Sequence, residues 1–292
     1  MSRRIAIATC TELPDGDADD QLLSQALADL GIAAEILAWT EPGRDWAAFD
    51  ATVIRSTWDY PARRPEFLSW LDSVPRLHNP APVVHANSDK RYLAELAASG
   101  LPTVPTRFFA PGQRIELPAA DEFVLKPSVG AGSRGAARFD AAGPASAEQA
   151  TAHARTLHEA GRTVMLQPYL SAVDTAGETA LIFFDGRFSH AIAKSAMLTP
   201  ESRYPVDEDA LYVPEQITAR LPSADELELA GRVVERLSRG LAEPLLYARI
   251  DLIPTDSGPV VLEAELIEPS LFLGYAEHAA GRLASAISDR TG

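Results

Sequence analysis

Two alternating segments near the C-terminus constrain the fold of this chain more than any other part of its sequence. Residues 245–253 (LLYARIDLI) and 260–266 (VVLEAEL) alternate apolar and charged side chains on either side of a short turn. A period of two is typical of strands that bury one face, and a slip of one residue would bury the charges instead. The segments therefore predict an antiparallel hairpin. Its expected facing pairs are Leu252 with Leu262, Asp251 with Glu263, and Arg249 with Glu265.

The predicted hairpin places three carboxylates and one guanidinium on the same face. Two like charges about 4 Å apart repel by about 4 kcal/mol at an effective dielectric of about 20, and Arg249 offsets only part of that repulsion. Hard oxygen donors with space for water and phosphate oxygens suit Mg²⁺. We therefore predict a magnesium site formed by Asp251, Glu263 and Glu265. The alternative is an exposed sheet face on which salt bridges happen to line up.

The N-terminal part of the chain alternates short apolar strands with a helix. Apolar runs at 3–9, 32–38 and 51–55 predict strands, and the amphipathic run 18–30, which stops at Gly31, predicts a helix. This order is typical of a small parallel α/β unit, in which ligands bind beyond the carboxyl ends of the strands. The segment 55–60 (RSTWDY) lies at such an end.

Two interpretations of the segment 55–60 stay open. Arg55 could form a bidentate pair with a substrate carboxylate, with Ser56, Thr57 and Asp59 orienting other polar groups of the substrate. Alternatively, Arg55 belongs to a structural ion pair and the aromatic residues of the segment pack in the core.

A lysine precedes a loop rich in glycine and serine in the middle of the chain. Residues 123–126 predict a strand that ends in Lys126, and the loop follows at 127–135 (PSVGAGSRG). Glycines let backbone N–H groups approach phosphates, and a lysine adds a point charge, so this segment predicts phosphate binding; an ordinary surface turn is the alternative. The expected loop contacts are Ser128, Gly130, Gly132 and Ser133. The sequence lacks both the GxxxxGK[ST] motif and a strand-linked GxGxxG motif, which argues against a P-loop or a dinucleotide fold.

Other segments complete the expected order of elements. A loop is predicted at 136–147, a helix at 146–159, a strand at 164–167, and a hairpin turn at Asp185-Gly186. A helix near 225–239 and a terminal helix follow. Lys90 is, on spacing alone, typical of an exposed helix lysine. The segment 167–170 (QPYL) ends a strand, where Pro168 leaves backbone groups that an adenine edge could use.

Composition limits the partners of the chain. Its 292 residues carry a formal net charge of −15, from 41 acidic and 26 basic residues, which disfavours nucleic acid and anionic membranes. The single cysteine, Cys10, allows no internal disulfide, and no apolar run approaches the ~20 residues needed to cross a bilayer. We expect a cytoplasmic protein that binds a small molecule, with a homodimer as the default assembly.

Taken in order, these segments resemble the ATP-grasp superfamily across nearly the whole chain. The resemblance lies in an early lysine, VLKP before a glycine loop, a hinge QPYL, and then Asp followed by Glu-x-Glu. It implies a mixed α/β and α+β fold, in which two α+β subdomains sandwich ATP beside an N-terminal parallel α/β domain. The implied boundaries are 1–88 for the substrate-binding domain, 89–168 for the central subdomain and 169–292 for the C-terminal subdomain.

The resemblance also implies a role for each matching residue. For the nucleotide these are Lys90 and Lys126, the adenine-hinge residues Gln167, Tyr169 and Leu170, and the acidic Glu178 after the hinge. Arg249 would neutralise the transferred phosphate, and Asp251, Glu263 and Glu265 match the Mg²⁺ ligands. The superfamily often has Asn where Glu265 stands, so this site is more anionic.

A narrower resemblance rests on 55–60 (RSTWDY), 87–93 (NSDKRYL), 188–191 (FSHA) and 265–270 (ELIEPS). These strings are similar to the subgroup that includes the cyclo-ligase of D-cycloserine biosynthesis. The resemblance implies ATP- and Mg²⁺-dependent activation of a carboxylate as an acyl phosphate, followed by closure of O-ureido-D-serine into the cyclic product.

Further roles follow if this reaction is the right one. Glu268 and Ser270 would bind a substrate amino group, Lys194 would reach phosphate, and the loop 130–135 would close over ATP to exclude water. The alternatives are an intermolecular amino-acid or peptide ligase with the same ATP site, and an ATP-binding regulatory protein without catalysis.

Overall fold

The N-terminal part of the chain forms the predicted parallel sheet, named here the N-terminal sheet. The structure, a computed structural model, describes residues 3–142, 144–196, 198 and 216–291. The strands of this sheet are β1 (Arg4–Thr9), β2 (Ala33–Ala38), β3 (Ala51–Ile54) and β4 (Leu77–His78). All pairings are parallel, in the order β2-β1-β3-β4. The associated helices are α1 (Ala18–Asp29), α2 (Arg64–Ser73) and α3 (Ala81–Asn87).

Helix α1 begins where its sequence predicts. Asp17 caps it by accepting a hydrogen bond from the backbone N–H of Asp20, and the Asp20 carboxylate accepts one from the N–H of Asp17. This reciprocal pair satisfies N–H groups that a helix start otherwise leaves unpaired. It also fixes two carboxylates beside the carboxyl ends of β1 and β3.

The central sheet is antiparallel and carries the glycine loop. Its strands are β5 (Arg107–Phe109), β6 (Glu122–Pro127), β7 (Ala137–Asp140) and β8 (Val164–Pro168), in the order β5-β8-β6-β7. The helices α4 (Tyr92–Ala98) and α5 (Pro144–Glu159) precede β5 and β8.

The prediction of a loop over 136–147 is wrong, because β7 and the start of α5 lie there. The segment is rich in small residues and carries a weak strand signal of its own. Its strand conformation comes from pairing with β6, where Phe139 lies opposite Phe123 with ring centroids 5.7 Å apart. Such cross-strand pairs, rather than intrinsic preference, stabilise short strands.

The C-terminal sheet is antiparallel and contains the predicted hairpin. Its described strands are β9 (Glu178–Phe184), β10 (Arg187–Lys194), β11 (Ile217–Arg220), β12 (Tyr247–Thr255) and β13 (Gly258–Glu265), in the order β11-β10-β9-β12-β13. The described helices of this part are α6 (Ala172–Ala176), α7 (Ala224–Ser238) and α8 (Ala279–Arg290). Asp185 and Gly186 both have positive φ, as the predicted two-residue turn requires.

The N-terminal and C-terminal sheets share one hydrophobic core. Helices α1 and α8 pack side by side through Leu23, Leu27, Leu283 and Ile287, and this cluster reaches Ile182 of β9. The opposite face of the C-terminal sheet is covered by α4 and α7. Throughout the described ranges, every helix is too short or too polar to span a bilayer.

Candidate active site

A cavity of about 520 Å³ is lined by residues of the central sheet, the C-terminal sheet and the glycine loop. Its volume lies within the range that small-molecule sites occupy. Among the described residues, five basic and five acidic side chains line it. They are Lys90, Lys126, Arg134, Lys194 and Arg249, with Glu178, Asp251, Glu263, Glu265 and Glu268.

The strands β12 and β13 pair in the predicted register at the charged positions. Arg249 lies opposite Glu265, and Asp251 lies opposite Glu263. The predicted pairing of Leu252 with Leu262 is wrong, because a bulge follows Asp251 and Leu252 pairs with Val261. A bulge adds one residue to one strand and re-aims its neighbours. Val261 is therefore fully buried, whereas Leu262 lines the cavity.

Asp251 lies at the centre of a buried ion-pair network. Its Oδ1 is 2.9 Å from Nε of Arg249, and its Oδ2 is 2.7 Å from Nζ of Lys194. Nη2 of Arg249 also lies 2.5 Å from Oε1 of Glu265, and Nζ of Lys194 lies 2.9 Å from Oε2 of Glu178. Burial alone would raise the pKa of Asp251, but Arg249 and Lys194 outweigh it and lower that pKa to about 2. Asp251 is therefore ionised throughout the physiological pH range.

A second ion pair connects Lys90 to strand β13. Nζ of Lys90 lies 2.7 Å from Oε1 of Glu263 and donates to the carbonyl of Gly130 at 2.8 Å. Burial opposes ionisation of Glu263, yet Lys90 and Lys126 outweigh it and lower the pKa of that carboxyl. Burial lowers the pKa of Lys126 itself. An anionic ligand beside Lys126 would therefore favour its charged form.

Two other carboxyl groups of the cavity hold their protons more tightly. Burial, partly offset by Arg249, raises the pKa of Glu265 to about 7. Burial, together with the nearby Glu265, raises the pKa of Glu268 to about 8. These two groups therefore differ from Asp251 and Glu263, whose pKa values are lowered by neighbouring basic side chains.

The predicted magnesium ligands share one wall of the cavity without converging on one point. Within the described residues, no group of three or more His, Cys, Asp or Glu side chains is arranged to hold a metal ion. Each of the three carboxylates is instead paired with a basic side chain, Asp251 with Arg249 and Lys194, Glu265 with Arg249, and Glu263 with Lys90. The donor chemistry nevertheless fits, since Asp251, Glu263 and Glu265 offer hard oxygen ligands. The lining charges also balance formally, so added phosphate charge calls for a divalent cation. The ligand assignment stays a prediction.

Of the predicted loop contacts, Gly130, Gly132 and Ser133 line the cavity. Ser128 is not among the residues that line it. Its N–H donates to the carbonyl of Thr163 and its carbonyl accepts from the N–H of Lys90, so it anchors the stem of the loop.

The far end of the loop is held by a glycine and an arginine. Gly135 has φ of 72°, and a Cβ there would lie 3.2 Å from the ring of Pro127, so a larger residue would displace the strand end. The guanidinium of Arg134 donates to the carbonyl of Trp58, which ties the loop to the N-terminal part of the chain.

The predicted adenine hinge also borders the cavity through Gln167, Tyr169 and Leu170. The side-chain amide of Gln167 donates to the hydroxyl of Thr106, so its backbone is the part that a nucleotide would meet. Arg138 lies over the ring of Tyr169 at 3.5 Å from its centroid and pairs with Glu122 at 2.6 Å. The guanidinium of Arg138 therefore holds the ring of Tyr169 in place by a cation–π contact.

The expectation that Arg55 pairs with a substrate carboxylate is not supported. Arg55 is 1% exposed, and its Nε lies 3.3 Å from Oδ1 of Asp20. Ser56 and Thr57 are equally buried, and the carboxylate of Asp59 accepts a hydrogen bond from the indole of Trp39. The cavity lining does not include these four residues of the segment 55–60. Their side chains point into the N-terminal core, which agrees with the structural ion pair that the sequence left open.

The same segment contributes its aromatic residues to the cavity. Trp58 and Tyr60 line it, and the indole N–H of Trp58 donates to the carbonyl of Glu268 at 3.1 Å. Phe272 also lines it and lies over Arg249 at 5.6 Å. Sequence reasoning does not single out these residues, although each lies within two positions of a residue that it does. Glu268, Ser270, Glu178 and Lys194, for which the sequence predicts substrate or nucleotide contacts, also line the cavity.

Comparison with known proteins identifies relatives over the full length of the chain. A family model described as the N-terminal domain of the D-cycloserine synthetase DcsG matches residues 5–79. The cycloserine biosynthesis protein DcsG of Streptomyces lavendulae is 39% identical over 291 residues, covering 94% of this chain and 94% of that protein. The crystal structure of D-cycloserine synthetase DcsG matches with a TM-score of 0.87 and 37% identity, covering 99% of this chain and 100% of that one.

A more distant structure shares the fold alone. The D-alanine–D-alanine ligase of Bacillus anthracis, in complex with ATP, matches with a TM-score of 0.68 and 14% identity, covering 99% of this chain and 97% of that one. The predicted ATP-grasp fold is thereby confirmed. Because identity of 39% extends over nearly the whole of both chains, the chain belongs to the D-cycloserine synthetase family of ATP-grasp ligases.

Proposed function

We propose that this chain is an ATP- and Mg²⁺-dependent cyclo-ligase that closes O-ureido-D-serine into D-cycloserine. One observation carries the proposal. The predicted nucleotide residues other than Ser128, which come from three separate parts of the sequence, line one charged cavity. They do so in a chain that is 39% identical to a cycloserine biosynthesis protein over nearly its whole length. Because the reaction consumes ATP, we place the enzyme in the cytoplasm.

The nucleotide would lie between the central and C-terminal sheets. Tyr169 and Leu170 border its adenine end, while Lys126, Gly130 and Gly132 border its phosphates. The ATP-bound ligase of B. anthracis has the same fold and supports this placement. Glycine-loop amides and a buried lysine provide a preorganised positive environment for phosphate oxygens.

The carboxylates of β12 and β13 would hold the cation. Bound by Asp251, Glu263 and Glu265, Mg²⁺ would neutralise charge on the transferring phosphoryl group. Arg249 lies among these carboxylates, within 3.0 Å of Asp251 and 2.5 Å of Glu265. Its guanidinium is therefore positioned to exchange a carboxylate partner for a phosphate oxygen.

The chemistry requires activation of a poor electrophile. The substrate carboxylate takes the γ-phosphoryl group of ATP, which forms an acyl phosphate and ADP. The nitrogen that is bonded to the serine side-chain oxygen then attacks the acyl carbon and loses its proton, and inorganic phosphate leaves. Water hydrolyses the bond between this nitrogen and the carbamoyl carbon, and the carbamoyl part leaves as carbon dioxide and ammonia. Closure of the loop 130–135 would keep other water away from the acyl phosphate.

The substrate would occupy the end of the cavity nearest the N-terminal sheet. Trp58 and Tyr60 border this end, and Glu268 is held there by the indole hydrogen bond to its carbonyl. A substrate ammonium group beside the carboxyl of Glu268 would favour its ionised form, so Glu268 and Ser270 are the proposed contacts of the amino group of a small amino acid. Lys194 of β10, paired with Asp251 and Glu178, is the proposed phosphate contact.

Phosphate release with defined substrates tests this function. The enzyme would be incubated with ATP, Mg²⁺ and either O-ureido-D-serine, O-ureido-L-serine or D-alanine, with products identified by mass spectrometry. We expect phosphate and cycloserine only with the D-ureido acid. Release of phosphate with D-alanine and formation of a dipeptide would establish the intermolecular ligase instead. ATP binding without phosphate release for any of these acids would contradict the proposed activity.

A further inference from the structure

The strand that carries Glu263 and Glu265 lies at the edge of the C-terminal sheet. An edge strand presents a row of backbone N–H and C=O groups without a neighbouring strand, and buried groups of this kind need partners. The first part of this edge is covered by backbone. The N–H of Val261 donates to the carbonyl of Pro102, and the N–H of Val104 donates to the carbonyl of Val261, both at 2.9 Å.

The part of the edge that bears the carboxylates is covered by side chains. Nδ2 of Asn87 donates to the carbonyl of Ala264 at 2.8 Å, and Oδ1 of Asn87 accepts from the N–H of Leu266 at 3.0 Å. These bonds reach the two peptide groups that flank Glu265. The side-chain amide thus pairs with the strand as a neighbouring residue of a sheet would.

A second side chain holds the preceding peptide. The hydroxyl of Tyr92 accepts a hydrogen bond of 3.0 Å from the N–H of Ala264, which belongs to the peptide that joins Glu263 to Ala264. Asn87 and Tyr92 are 9% and 6% exposed, so water does not compete strongly for these bonds. The three consecutive peptides from Glu263 to Leu266 are therefore held by side chains from outside the sheet.

We propose that Asn87, supported by Tyr92, is a positioning residue that aims Glu263 and Glu265 at the cation; this inference rests on the proposed function. Metal ligands must be held within about 0.5 Å of their productive geometry. Side chains on a strand point where the peptide planes direct them, and an unpaired edge is free to twist. The hydrogen bonds of the Asn87 amide oppose this twisting at Ala264 and Leu266, on either side of Glu265.

Asn79 provides a matched control at the open end of the same hairpin. Its Nδ2 donates to the carbonyls of Tyr247 and Leu266 at 2.9 Å, and its Oδ1 accepts from the N–H of Leu246 at 2.7 Å. It is fully buried and makes the same kind of bond to the backbone. Its contacts lie beyond Glu265 and at the start of β12, so removal of its side chain should cost stability without redirecting the carboxylates.

The test measures metal binding without catalysis. Mn²⁺ would be titrated, with detection by electron paramagnetic resonance, into wild-type, Asn87→Ala and Asn79→Ala proteins saturated with a non-hydrolysable ATP analogue. We expect Asn87→Ala to weaken Mn²⁺ binding about tenfold, as loss of a supporting residue does in other metal sites. Asn79→Ala should stay within about twofold of wild type while lowering the melting temperature. Equal weakening in both variants, or none in Asn87→Ala, would overturn the inference.

Two milder variants keep the inference testable if Asn87→Ala does not fold. Asn87→Asp keeps the acceptor for Leu266 but sets a carboxylate oxygen against the carbonyl of Ala264, and Tyr92→Phe removes one acceptor. Weaker Mn²⁺ binding in both supports the inference, and wild-type affinity in both overturns it. A wild-type protein that binds Mn²⁺ and nucleotide but does not convert the ureido acid would contradict the proposed function alone.

Discussion

Two clusters of buried charge, one closed and one open, explain which parts of this molecule serve stability and which serve chemistry. In the closed cluster, Arg55 is enclosed with Asp19 and Asp20, and it lies outside the cavity. In the open cluster, Arg249 and Asp251 are also buried and paired, at 2.9 Å, yet both border the cavity. A guanidinium beside aspartates is therefore not a functional signature by itself. Access to a ligand decides its role.

The closed cluster nevertheless supports the open one. The Asp19 carboxylate accepts hydrogen bonds from the N–H groups of Leu271 and Leu273, at 2.8 and 2.7 Å. These residues flank Phe272, whose backbone is held at a φ of 52° and whose ring lies over Arg249. The Asp19 carboxylate of the closed cluster thus fixes the backbone on both sides of Phe272, which lines the cavity. A change in the closed cluster should therefore affect stability first and the shape of the cavity second.

The largest expected effect is on activity in the open cluster. Asp251→Asn keeps the size of the side chain but removes the charge that pairs with Arg249 and that would ligate the cation. We expect phosphate release to fall by at least about 10³-fold, with the circular dichroism spectrum unchanged. Asp256→Asn, the same change at an exposed position of the same hairpin, should keep full activity. Comparable activity in the two variants would remove the distinction between the clusters.

The next effect is on stability in the closed cluster. Arg55→Met should lower the free energy of unfolding by about 3–5 kcal/mol, because it leaves buried carboxylates without a partner. Calorimetry with Arg63→Met as control checks this, since Arg63 and Glu66 form an exposed pair worth less than about 1 kcal/mol. A stable Arg55→Met protein that had lost substrate binding would restore Arg55 as a substrate ligand.

A smaller loss is expected at the lysine of the glycine loop. Lys126→Gln should reduce kcat/KM for ATP by about 10²-fold, because one preorganised charge near the phosphates is lost. Arg114→Gln, which removes an exposed positive charge before the same strand, is the control. If the two variants behaved alike, the glycine loop would be an ordinary surface turn.

The smallest effect is a pH dependence of stability in the open cluster. The raised pKa of Glu268, about 8 against an ordinary 4.5, means that the folded protein keeps a proton that the unfolded chain releases. The free energy of unfolding of the nucleotide-free protein should therefore fall as pH rises from about 5 to about 8.

Glu268→Gln should remove part of this decrease in the free energy of unfolding, on the order of 1 kcal/mol between about pH 5 and about pH 8, which corresponds to about 2 °C in melting temperature. The comparison variant is Glu277→Gln, which alters an exposed carboxylate. A slope that is the same in Glu268→Gln and wild type would show that Glu268 is ionised in the folded protein.

The sequence predicts the elements that follow from local pattern. Alternation is enough to align Asp251 with Glu263, and the Asp185-Gly186 turn follows from its residue types. The bulge that exposes Leu262 is not visible in the alternation, because an inserted residue changes the register only after pairing. The strand β7 is missed for a similar reason, since its partner β6 supplies the stabilising contacts.

Roles that depend on distant partners are harder to predict. Nothing near Arg55 in sequence reveals that Oδ1 of Asp20 in α1 lies 3.3 Å from its Nε. The sequence alone therefore does not distinguish a substrate contact from a structural ion pair. Asn87 belongs to a recognisable string, but its function depends on a strand about 180 residues later, which the hydrogen bonds to Ala264 and Leu266 identify.

Crystals grown with a non-hydrolysable ATP analogue and Mn²⁺ test the central claim most directly. The account predicts one or more anomalous peaks within bonding distance of the carboxylates of Asp251, Glu263 and Glu265 and of the phosphate oxygens. A triphosphate bound with those carboxylates still paired only to Arg249, Lys194 and Lys90, and with manganese elsewhere, would contradict it.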